Sequence, residues 1–94
     1  MRTIWKYTIP VDDYSQVVVQ RDAVPVHVMM QGNRLVDVWM LVDTNAPLVA
    51  YDFYIIGNGH PLPTVELGAL EYIGTVHDAR YDYGFIWHVF YNRK

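Results

Sequence analysis

Val24-Pro25-Val26-His27-Val28-Met29-Met30, Gln31-Gly32-Asn33-Arg34, Leu35-Val36-Asp37-Val38-Trp39-Met40-Leu41-Val42 is the pattern of a β-hairpin. Its apolar residues recur every second position, the period at which side chains share one face of a strand. Val24, Val26, Val28 and Met30 are expected on one face, with His27 and Met29 opposite. The middle tetrapeptide reads as a hairpin turn, since Gly and Asn accept the positive φ angles that tight hairpins need. The returning strand carries Val36, Val38, Met40 and Val42 on one face. Its other face holds Leu35, Asp37, Trp39 and Leu41.

Working outward, the same period continues on both sides. Thr3 to Ile9 places Trp5, Tyr7 and Ile9 on one face, and Pro10 ends that strand. Trp5 is expected in the core. Val17-Val18-Val19 makes a short second strand. Asp43-Thr44-Asn45-Ala46-Pro47 is a turn. A fifth strand runs from about Val49 to Ile56, a sixth from Leu70 to Val76, and a seventh from Phe85 to Tyr91. Thr64 to Gly68 has room for one short helical turn, and His77 to Gly84 reads as a loop. The expected fold is all-β: one domain over residues 1–94, a compact β-sandwich or partly open barrel of about seven short, mostly antiparallel strands.

Composition narrows the function. The chain has 94 residues and no cysteine, so disulfides and thiolate metal sites are excluded. A net charge of -3 argues against general binding to duplex nucleic acid, where Lys and Arg must neutralise phosphates. No run of about 18 apolar residues is present, and Met1 to Lys6 lacks the apolar segment of a signal peptide. A cytoplasmic location without membrane association is expected. Several strands are apolar on both faces, more than one small domain can cover, so a homo-oligomer, most simply a two-fold dimer, is expected. Eight tyrosines and three tryptophans suit half-buried surfaces, interfaces and base-stacking sites.

The segment with most local specificity is Gly57-Asn58-Gly59-His60-Pro61. Two glycines one residue apart allow positive φ, so that successive N–H groups turn inward and cradle an anion. His60 adds a polar ring. The segment also reads simply as a sharp link between two strands. It is not a dinucleotide fingerprint: Leu62 stands where the third glycine would be, and Pro61 and Pro63 forbid a helix there. Arg80 is the best-placed basic residue to assist, with Tyr81 and Tyr83 available to stack or to pack under their own loop.

Catalytic signatures are sparse. The one serine, Ser15, has no glycine elbow. Asp12-Asp13 is the obvious carboxylate pair, and adjacent acids in a turn are usually solvated. His27, His60, His77 and His88 have no short metal-ligand spacing, so no metal or cofactor is expected. His88 is expected as a hydrogen-bonded interior or interface residue.

The whole chain resembles a family of small, mostly uncharacterised proteins found in bacteriophages and bacterial genomes. The resemblance runs through Thr3-Ile4-Trp5-Lys6-Tyr7-Thr8-Ile9, Trp39-Met40-Leu41-Val42-Asp43, Gly57-Asn58-Gly59-His60-Pro61, Tyr72-Ile73-Gly74-Thr75 and His88-Val89-Phe90. Asn58 stands where threonine is common in that pattern. Family membership implies an origin among small phage-borne domains, which include sponges that sequester cyclic nucleotide signals of the CBASS type.

These readings combine into one expectation. The protein is a non-enzymatic binder that sequesters a cyclic nucleotide, most simply a cyclic dinucleotide. Trp5, Tyr7 or Tyr83 would stack on bases, and Gly57, Asn58, Gly59 and His60 would contact phosphate or sugar with help from Arg80. The alternative is a protein-interaction module that docks a host or phage protein through its aromatic sheet faces. A third reading is an enzyme that uses His60 and an aspartate as acid and base.

Overall fold

The computed structural model describes residues 1–63, 69–78 and 85–93, with the Arg93 side chain left aside. Its strands are β1 (Arg2–Pro10), β2 (Ser15–Gln20), β3 (Val24–Gly32), β4 (Leu35–Asp43), β5 (Leu48–Gly57), β6 (Glu71–Asp78) and β7 (Phe85–Arg93). All pairs are antiparallel. They form a three-stranded sheet in the order β1-β4-β3 and a four-stranded sheet in the order β2-β5-β7-β6. The protein is therefore all-β, two sheets that do not close into a barrel. The expected helical turn over Thr64 to Gly68 lies outside the described residues.

The β3–β4 hairpin is built as its sequence requires. Gly32 pairs with Leu35, so Asn33 and Arg34 form a two-residue loop. Both have positive φ, 51° and 60°, which is the signature of a type I′ turn. Its twist matches that of the flanking strands.

The inner faces meet in one core. Val36, Val38, Met40 and Val42 of β4 face Ile9, Val19, Phe53, Ile55 and Val89, all buried. Each polar tip in this core has a partner. Tyr51 donates from its hydroxyl to the Ala23 carbonyl at 2.8 Å, and Tyr91 donates to Glu71 Oε2 at 2.6 Å. Tyr7 donates to Oε1 of the buried Gln20 at 2.8 Å. A buried polar atom left unpaired would cost about 1–3 kcal/mol, so these bonds fix which tyrosine faces which strand.

Two side-chain placements differ from the expectation. A register shift lies between Pro25 and His27 on β3. Pro25 has no N–H for the ladder, and Val26 is the extra residue of the resulting bulge. Val28 and Met30 therefore pack inward, while Val24 pairs with Leu41 on the outer face and Val26 is exposed. Trp5 is the second. It shares a face with Tyr7 and Ile9, but burial rises along that face from Trp5, 43% exposed, through half-buried Tyr7 to Ile9 at 0%. β1 is an edge strand, and burial on its inner face is concentrated at the Ile9 end.

Candidate functional site

At one end of the sandwich the β1–β2 turn, the hairpin tip and the loop after β5 come together. The hairpin is pinned there: Val11 N–H donates to the Arg34 carbonyl at 2.8 Å, and Arg34 Nη2 donates to the Val11 carbonyl at 3.3 Å. The loop after β5 closes with His60 N–H donating to the Gly57 carbonyl at 3.1 Å. Gly59 has φ +78°, the value a type II turn needs at its third residue.

The two glycines have different tasks. Gly59 supplies the positive φ, with open space where a Cβ would stand. Gly57 does not have positive φ. A Cβ there would lie 3.0 Å from the His60 ring and 3.1 Å from Cζ3 of Trp87, its partner on β7. Gly57 is small so that His60 can fold back over it. The anion cradle expected from two positive-φ glycines is replaced by a turn in which the His60 N–H is already used.

His60 and Trp87 meet edge to face, with ring centroids 6.4 Å apart. With Arg34, Asp12 and Asp13 they surround a cleft of about 210 Å³ floored by Val11 and Ile55. A flat apolar wall, a guanidinium and two carboxylates thus converge on one space. The guanidinium offers donors only and the carboxylates offer acceptors only. The cleft thus sets donors and acceptors beside an aromatic ring.

Asn58, two residues before His60, serves the opposite face of the sheet. Its Oδ1 lies 2.5 Å from Nε2 of His88. With an acceptor there, Nε2 carries the proton and Nδ1 accepts from Thr75 Oγ1 at 3.0 Å. Thr75 in turn lies 2.5 Å from the Tyr72 hydroxyl. This chain ties the loop to β7 and β6 on the outer face. His88 is a hydrogen-bonded, half-buried residue there rather than a core residue.

The remaining candidates scatter. Trp5 and Tyr7 do not line the His60 cleft, and the Tyr7 hydroxyl is held by Gln20. Burial pushes the Tyr7 hydroxyl above its ordinary pKa. Arg80 and Tyr83 lie outside the described residues. The basic residue that the fold brings to His60 is Arg34, which sequence reading assigned only to a turn. Asp12 and Asp13 join it because β1 ends beside the hairpin. His77 belongs to β6, not to the expected loop, and lines a groove of about 310 Å³ with His27, Met29 and Thr75 at the seam between β3 and β6. Among the described residues no three His, Asp or Glu side chains are grouped to hold a metal, and no helix is long and apolar enough to cross a membrane.

Fold and site together define a small two-sheet β domain with an open, polar-rimmed cleft at one end. The chain belongs to the family described as Domain of unknown function (DUF7352), whose model matches residues 1–94. No curated protein and no solved structure matches it.

Proposed function

We propose that this protein is a non-catalytic binding protein for a nucleotide-class ligand, a cyclic nucleotide signal that it sequesters in the cytoplasm without cleaving. The observation that carries this reading is the convergence of His60, Trp87, Arg34, Asp12 and Asp13 on one cleft. Its size suits one base, with the sugar and phosphate outside. The base packs on Trp87, at about 1–3 kcal/mol for such a contact. Arg34 donates to ring acceptors, and the carboxylates accept from amino or imino groups, the pairing that proteins use on base edges. The phage setting of the resemblance supplies the cyclic signal as the member of the class to test first.

The experiment is thermal melting against cyclic mono-, di- and trinucleotides, with the ligand recovered after denaturation and analysed by chromatography. Ligand at 100 times its dissociation constant stabilises the fold by about 2.7 kcal/mol. A shift that disappears in Arg34→Ala and Trp87→Leu, with intact ligand recovered, supports the reading. A shift with altered ligand recovered replaces it with an enzymatic one. No shift across the panel removes it.

One observation favours a second reading, association through the outer face of the β1-β4-β3 sheet. Ile4, Leu41 and Val24 form a cross-strand row there, each at least 39% exposed, and Met29 is exposed further along. In this reading the face docks a second copy of the chain or another protein. Leu41→Lys converts an oligomer measured by light scattering into a monomer, and a wild-type monomer that captures no partner from lysate counts against it.

A further inference from the structure

A further cleft lies at the other end of the sandwich, where neither glycine motif nor histidine points. It has a volume of about 370 Å³, within the range of small-ligand sites. Arg2, at the start of β1, and Arg21, in the turn after β2, both line it. Among the described residues neither guanidinium has a hydrogen bond or ion pair. Strand rise separates this cleft from the His60 end by about 26 Å along β4.

The surroundings decide what two open guanidiniums can hold. Asp22 and Asp43 line the same cleft. Asp43 has a cation of its own: its Oδ1 accepts the Asn45 N–H at 3.0 Å and lies 3.6 Å from the Met1 ammonium. The two arginines and the Met1 ammonium against Asp22 and Asp43 leave one net positive charge around the cleft. The turn is held in place by the Arg21 N–H, which donates to the Pro47 carbonyl at 2.8 Å. Asp22 itself has φ +64°, so the backbone turns sharply right after Arg21. Between the charges the surface is apolar, formed by Val24, Leu41 and Pro47.

Guanidinium forks bind carboxylate and phosphate oxygens through paired, charge-assisted hydrogen bonds. We propose that this cleft is a second, independent binding site for a small amphiphilic oxyanion, whose carboxylate or phosphate is held by Arg2 and Arg21 and whose apolar body lies on Val24, Leu41 and Pro47.

The test is a calorimetric titration of the full chain at constant ionic strength with four probes: phenyl phosphate, octanoate, inorganic phosphate and phenol. Phenyl phosphate or octanoate is expected to saturate one site, and whichever binds more tightly identifies the head group. Affinity is expected to fall at least about tenfold in Arg2→Gln/Arg21→Gln and to stay unchanged in Lys6→Gln, which removes one charge elsewhere. Arg21→Lys keeps charge and fold but loses the fork, and is expected to weaken binding severalfold. The proposal is overturned if neither amphiphile saturates. It is also overturned if the arginine variants bind like wild type, or if inorganic phosphate or phenol alone binds as tightly as phenyl phosphate. Failure here leaves the nucleotide reading standing, because Arg34 and Trp87 lie at the opposite end.

Discussion

A Cβ on Gly74 of β6 would stand 2.7 Å from Cγ2 of Val28 on β3. The two residues bring the two sheets together, and the absent methyl is what lets the sheets meet there. Val28 cannot swing aside freely, because β-branched side chains are stiff at χ1. Gly74→Ala is therefore expected to destabilise the fold by about 1–3 kcal/mol. Val28→Ala in the same chain relieves the clash, so the double variant loses less than the sum of the singles. Urea unfolding of the four proteins measures this, and additivity within about 0.5 kcal/mol would refute it.

Gly57 and Gly59 are expected to respond differently to alanine. Gly59→Ala forces an L-residue into the left-handed region, at a cost of about 1–2 kcal/mol in stability, and Gly59→Asn recovers most of it. Gly57→Ala leaves φ undisturbed but displaces the His60 ring from Trp87. The ring-current shift of the His60 Cε1 proton is expected to vanish in Gly57→Ala and persist in Gly59→Asn. Persistence in both variants would remove Gly57 from the site.

Tyr7 couples stability to alkaline pH. Burial raises its hydroxyl above the ordinary tyrosine value of about 10. The folded state then holds the proton more tightly than the unfolded state. This contribution is complete below pH about 10 and is lost as pH rises through the folded value. Tyr7→Phe is expected to cost about 1 kcal/mol at neutral pH, because Gln20 loses its donor, and to flatten the alkaline decline. Unfolding free energies of both proteins across that range decide it; parallel declines would be the contrary result.

Asp37 is nearly buried on the outer face of β4, and its two neighbours are unequal. Thr8 Oγ1 donates to Oδ1 at 2.7 Å, whereas Lys6 Nζ lies 3.9 Å from Oδ2 on a half-exposed side chain. Thr8→Val is expected to cost about 1–3 kcal/mol, since a buried carboxylate oxygen loses its hydrogen bond. Lys6→Ala is expected to cost less than about 1 kcal/mol. Chemical denaturation ranks the two, and the reverse order would show that the ion pair dominates.

Much of this architecture is legible in the residues. The alternation of Val36, Val38, Met40 and Val42 names a core face, and Asn33-Arg34 names a hairpin, because both signals are local. Val26 shows where legibility stops. Period two predicts it beside Val28, yet Val26 is itself the extra residue of a bulge after Pro25, and apolar residues on either side of a bulge look alike. Trp5 shows a second limit. Its pattern is that of a core residue, but exposure depends on how far the opposite sheet extends.

The site divides along the same line. The sequence by itself singled out the Gly57–His60 loop, since two glycines and a proline restrict the chain locally. It could not supply the partners of His60. Arg34, Asp12 and Trp87 reach it only because β4 lies between β1 and β3 while β5 pairs with β7. Strand order is set by which distant pairings bury the most apolar surface while the buried hydroxyls of Tyr51 and Tyr91 keep their partners. That is a property of the whole chain: local patterns mark the strands and the loop, whereas the packing of the two sheets brings Arg34, Asp12 and Trp87 to one cleft.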